Sequence, residues 1–159
     1  MLTYQLLKYA HIIGASVFLG TGAGIAFFML MAHRTGDATV VGGVARIVVI
    51  ADFIFTATAV LLQPITGLLL VWWAGYSLSE GWILLSILLY FVTGAFWVPV
   101  VFMQIRMRDL AMRAAAEQKP LPEAYHRVFW RWFAFGFPAF GAVVAIFWLM
   151  IARPQFIFI

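Results

Sequence analysis

The chain has 159 residues, of which 65% are hydrophobic and only 10% charged, with a mean hydropathy of +1.03; these values lie outside the globular range and inside the membrane range. The net charge of +4 rests on only 10 Lys and Arg, too few and too dispersed for a nucleic-acid-binding surface. There is no cysteine, which excludes disulfides, thiolate metal sites, Cys-ligated iron–sulfur clusters and haem attached through CxxCH.

Four stretches carry no Asp, Glu, Lys or Arg: 9–32, 53–79, 81–105 and 132–152. A helix needs roughly 20 apolar residues to cross about 30 Å of hydrocarbon, so each stretch predicts one span. The fold class is all-α, a four-helix transmembrane bundle forming a single domain over 1–159, with no room for a soluble catalytic domain. The first apolar run is too long for the core of a signal peptide, and no small-x-small cleavage site follows it. It reads as a retained helix.

In chain order, the first span leads into a polar loop, His33-Arg-Thr-Gly-Asp37. The second span ends in a short turn, Gly75-Tyr-Ser-Leu-Ser-Glu80-Gly81. The third continues as a charged helical extension to Lys119, which Pro120-Leu-Pro122 stops because proline cannot continue a helix. Pro122 and Glu123 then suit the first turn of the helix that feeds span four. The 1–2 and 3–4 connections and their flanks hold Arg34, Arg46, Arg106, Arg108, Arg113, Lys119, Arg127 and Arg131, whereas the other side holds only Lys8 and Arg153. By the positive-inside rule both termini lie outside and the basic connections lie in the cytoplasm. Trp72, Trp73, Tyr76 and Trp82 at one level, and Tyr125, Trp130 and Trp132 at the other, read as interfacial anchors.

Polar residues inside a span are candidates for function by default, and here they are His11, Asp52, Gln63 and Gln104. Tyr4, Lys8, His11, Ala15, Phe18 and Gly22 share one helical stripe. A histidine above small residues and an aromatic suits a flat macrocycle, and neutral imidazole is a usual axial ligand of haem iron. On that reading His11 is the metal ligand of a b-type haem, Lys8 pairs with a propionate and Gly22 leaves space beside the ring. The alternative is that His11 simply hydrogen-bonds a neighbouring helix. His33 lies about 33 Å further along the same helix, too far to share a metal with His11. His33 and His126 occupy the same side, among arginines. Asp52 calls for a cationic partner, with Arg106 or Arg131 at the same depth. Gln63-Pro64, with Pro99 and Pro138, predicts kinks whose freed carbonyls either line a cavity or satisfy one another. Ser16, Gly20 and Gly24 form a small-residue face that favours close helix approach.

Lys8-Tyr-Ala-His11-Ile-Ile-Gly, Ala51-Asp-Phe-Ile-Phe-Thr, Gln63-Pro-Ile-Thr-Gly67 and Arg131-Trp-Phe-Ala-Phe-Gly136-Phe-Pro138 give the chain, over nearly its whole length, a close resemblance to a small bacterial family of predicted integral membrane proteins. More distantly it is similar to HemJ-type protoporphyrinogen oxidases, through Lys8-x-x-His11, a histidine at the end of span one (His33), Arg127, Arg131 and Pro138, and, by architecture and the early histidine only, to CopD-like copper-resistance proteins. The HemJ-type resemblance implies a haem association for His11. Span three, however, lacks the lysine and histidines of that pattern, and Phe135-Gly-Phe-Pro138 replaces its Asn-Glu-x-Pro. Porphyrinogen oxidation is therefore not carried over.

These readings give a multi-pass protein of the bacterial inner membrane, in contact with the lipid bilayer and forming a homo-oligomer or part of a larger complex. Its first expected role is haem-b-dependent electron transfer or another haem-linked oxidoreductase step. A cofactor-free accessory subunit is the second, and a small transporter built around Gln63-Pro64 the third.

Overall fold

The computed structural model describes residues 2–155. Among them are four helices long and apolar enough to cross a membrane: α1 (Leu2–Thr35), α2 (Ala38–Ala74), α3 (Gly81–Ala116) and α4 (Glu123–Ala152). α2 begins well before the expected span at 53 and ends before 79. Asp37 explains its start: the carboxylate accepts from the backbone N–H groups of Thr39 (2.7 Å) and Val40 (3.1 Å), which no carbonyl of the helix can reach. Gly75 explains its end, with φ at 71°, in the left-handed region that glycine enters without cost. α3 runs unbroken through its charged extension, and Pro122 caps the start of α4. We call the end of the bundle that holds both arginine-rich connections the basic end, and the other the far end.

Pro64, Pro99 and Pro138 all lie within continuous helices. Pro64 has no N–H for the carbonyl of Val60, four residues back, and the Tyr90 hydroxyl on α3 donates to that carbonyl at 2.8 Å. One irregularity interrupts α2, a π-helical turn over Asp52–Thr56.

The core sits at the basic end. Met29, Val41, Met107, Ala111, Tyr125 and Phe129 are all at or below 1% exposure there, drawn from all four helices. Gly42 lets α2 approach α3 to backbone contact: a Cβ there would lie 3.3 Å from the Met112 nitrogen and 3.5 Å from the Ala111 carbonyl carbon. Further along, α3 and α4 stay paired, while the far half of α2 packs on α1 instead. At the far end a small cluster of Trp82, Ile83 and Leu149 from α3 and α4 packs against Val71 at the end of α2 and Tyr76 in the turn that follows. There Arg153 donates to the Tyr76 hydroxyl at 2.6 Å and lies over the Tyr76 and Trp82 rings.

Several expectations change in this frame. Trp72, Trp73 and Trp130 face outward as interfacial anchors would. Trp82, Tyr125 and Trp132 do not; they are buried, packed against neighbouring helices. The small-residue face of α1 makes no close approach: a Cβ on Gly20 would meet nothing within 4 Å, and one on Gly24 would meet only the α1 residue Phe28. The tight contacts involve Gly14, Gly42 and Gly67.

Candidate functional site

A cavity of about 350 Å³ lies in the middle of the bundle, where α1 and α4 diverge. Phe18, Gly22 and Phe27 of α1 face Phe133, Phe137 and Phe140 of α4 across it. Phe27, Phe137 and Phe140 line it and are also exposed on the outer surface, so its mouth opens sideways between these two helices. Gly22 and Gly136 keep the walls clear, since a Cβ on either would meet nothing within 4 Å. The volume falls within the range of small-molecule pockets.

The floor is the polar part. Asp52, only 3% exposed, projects from the π turn of α2. The Trp97 indole N–H donates to its Oδ1 at 3.3 Å. The Trp132 indole, which can only donate, gives its N–H to the Gln104 side-chain oxygen at 3.2 Å, which turns the Gln104 amide nitrogen toward Asp52 Oδ2 at 3.0 Å. The Thr56 hydroxyl is buried beside the cavity and satisfies no partner. Asp52 is therefore an acceptor held by two donors, and the arginine partner expected for it is wrong. Arg106 and Arg131 are exposed at the basic end, and neither forms an ion pair among the described residues. The backbone explains this: a π turn widens the helix and re-aims its side chains, and such turns recur at functional sites.

His11 takes the bridging role. Its Nδ1 lies 2.7 Å from the Thr66 hydroxyl. Thr66 donates its own proton to the carbonyls of Leu62 (2.8 Å) and Gln63 (3.2 Å), so it accepts from His11 Nδ1–H. The Gln63 amide donates to the His11 carbonyl at 3.1 Å. Gly14 and Gly67 make room: a Cβ on Gly14 would lie 2.5 Å from Gln63 Nε2, and one on Gly67 3.3 Å from the His11 ring. Gln63, like His11, joins two helices and does not line the cavity. Lys8 is exposed, three residues nearer the start of α1.

The expected haem constellation is therefore not assembled within one chain. Gly22 lines the cavity, but His11 lies about 16 Å away along α1, counted at 1.5 Å per residue, and is turned onto α2. Axial haem ligands are His, Met, Cys or Tyr, and none of these lines the cavity. Along the shared stripe α1 meets α2 at the level of His11 and faces open space toward α4 at the level of Gly22.

His33 and His126 do meet, with ring centroids 5.5 Å apart. His33 stacks flat on Phe129 at 3.6 Å and 5°, and its Nδ1 lies 3.3 Å from the Tyr125 hydroxyl. Burial, and then the nearby His126, hold His33 below the usual 6.5. Burial pushes the Tyr125 hydroxyl up. The described residues include no group of three or more His, Asp or Glu suited to a metal ion.

A family model described as "Predicted integral membrane protein (DUF2269)" matches residues 5–154. The chain belongs to that family. No curated protein and no solved structure matches it. Nothing in the sequence reading had joined Asp52 to Trp97, Gln104 and Trp132; Asp52 and Gln104 were visible as polar residues within spans, but indole partners leave no mark in spacing.

Proposed function

We propose that this protein binds a membrane-dissolved lipophilic molecule inside the bilayer, in the cavity between α1 and α4, with Asp52 as the polar anchor. The observation that carries this reading is a buried carboxylate at the floor of an aromatic cavity, held by neutral donors alone. An ionisable residue kept at such a depth is expensive, and it marks functional sites in membranes. A sideways mouth gives a ligand in the hydrocarbon a route that avoids water. With the basic connections in the cytoplasm, Asp52 lies toward the cytoplasmic leaflet.

The test fills the cavity. Gly22→Trp places an indole where a side chain would meet nothing. Protein purified into lipid nanodiscs, extracted and analysed by mass spectrometry, is expected to retain a lipophile in the wild type and to lose it in the variant. Equal retention by both would overturn the reading.

A further inference from the structure

We infer that the ligand carries a positive charge: a lipophilic cation, either a quaternary ammonium or a protonated amine attached to an apolar body. The inference rests on the cavity reading above and specifies its ligand.

Three observations point the same way. The first is charge balance. Among the described residues Asp52 is the one ionisable side chain lining the cavity, and its partners Trp97 and Gln104 are neutral. The buried carboxylate lacks the opposite charge that such a group in hydrocarbon requires. An anionic ligand would be repelled, and beside a neutral one the carboxyl would shed its charge by taking up a proton; a cation is the ligand that turns the carboxylate's charge into binding energy.

The second is the direction of the hydrogen bonds. Trp132 fixes Gln104, and Gln104 and Trp97 both donate toward Asp52. The arrangement presents the carboxylate as an acceptor with lone pairs still free, since a carboxylate offers about four acceptor positions. Beside it the Thr56 hydroxyl, 3% exposed, faces the carboxylate without a well-formed hydrogen bond of its own. A protonated amine would use both oxygens, and a quaternary ammonium would use the charge alone.

The third is the wall. Trp97, Trp132, Phe133, Phe137, Phe140 and Phe18 line the same space. Aromatic faces attract cations through the ring quadrupole, and cages of such rings are suited to quaternary ammonium groups. A chain attached to the cation can leave through the mouth past Phe27 and Phe137, where the exposed surface continues into lipid.

The experiment uses the whole protein in nanodiscs of zwitterionic lipid, so that anionic headgroups do not compete. The probes are dodecyltrimethylammonium, below its micellar concentration, and its uncharged carbon isostere, in which carbon replaces nitrogen. The wild type is expected to bind the cation on the order of ten-fold more tightly than the isostere. Asp52→Asn keeps the shape and removes the charge; it should abolish that preference while leaving the isostere bound. Phe137→Leu with Phe140→Leu removes two aromatic faces of the wall beside the mouth and should cut cation affinity a few-fold, which provides a readout even if Asp52→Asn does not fold. Equal binding of both probes by the wild type, unaffected by these variants, would overturn the inference and leave the cavity reading standing. Binding of neither probe, or binding of both unchanged by Gly22→Trp, would overturn the cavity reading itself.

Discussion

The basic end and the middle of this bundle are built from the same four helices but in opposite ways. At the basic end all four converge on Met29, Val41, Met107, Ala111, Tyr125 and Phe129, with almost no surface left exposed. In the middle they separate into two pairs, α1 with the far half of α2 and α3 with α4, and the space between the pairs is a cavity. Lipid tails are as apolar as the side chains, so burial supplies little drive for helix association in a membrane; close packing and hydrogen bonds must supply it. The basic end uses packing. The α1–α2 pair uses hydrogen bonds among His11, Gln63 and Thr66. A bundle fastened at one end and tied pairwise elsewhere can keep an opening in its middle without falling apart.

The sharpest way to break this comparison is to place the same bulk at both levels. Gly42→Leu drives a side chain into the backbone of Met112 and Ala111, which cannot move aside as a flexible side chain can. The expected cost is about 3 kcal/mol, at the upper end for overpacking. Gly22→Leu meets open space and should stay within about 0.5 kcal/mol of the wild type. Thermal melts followed by size-exclusion chromatography in detergent would read both. Similar losses from the two substitutions would mean that the middle is packed as tightly as the basic end.

A smaller effect tests how α1 is tied to α2. In a double-mutant cycle with His11→Ala and Thr66→Val, the coupling should be about 0.6 kcal/mol, and not above about 1.7, the range found for hydrogen bonds between membrane helices. Zero coupling would remove His11 from the interface and return it to the pool of candidate ligands.

Much of the architecture was legible because charge-free length is a strong signal: four such runs predicted four spanning helices, and the described residues form four helices of that length and composition. The ends of the helices were less so. The Asp37 cap starts α2 well before the uncharged run begins, because capping is local chemistry that hydropathy does not record. The site was legible only in part. Depth identified Asp52 and Gln104, and the stripe identified Gly22, but facing direction decides the rest. One stripe on α1 looks onto α2 at His11 and into the cavity at Gly22. Likewise Trp132 and Tyr125 carry the composition of an interfacial belt and yet are buried. The Pro64 carbonyl deficit was foreseeable, whereas its remedy, the Tyr90 hydroxyl, comes from a residue 30 positions from Val60.

The mildest prediction concerns the packed end and the His33 ring within it. His33 lies flat against Phe129 with His126 nearby, and burial together with that neighbour lowers its pKa from 6.5. A histidine whose folded value is depressed takes up its proton more readily when unfolded. Its contribution to stability is therefore fully present above 6.5 and is lost as the pH falls through the folded value. Melts between pH 7.5 and about 5 should show the wild type losing stability on the acid side, whereas His33→Phe, which keeps the flat stack and cannot titrate, should lose less. His126→Gln removes a neighbour that lowers the proton affinity of His33, so the folded value should move back toward 6.5 and the acid-side loss should become smaller than in the wild type. Parallel curves for all three proteins would show that this ring stays wet in both states, and the packed end would then be less dry than the stacking on Phe129 implies.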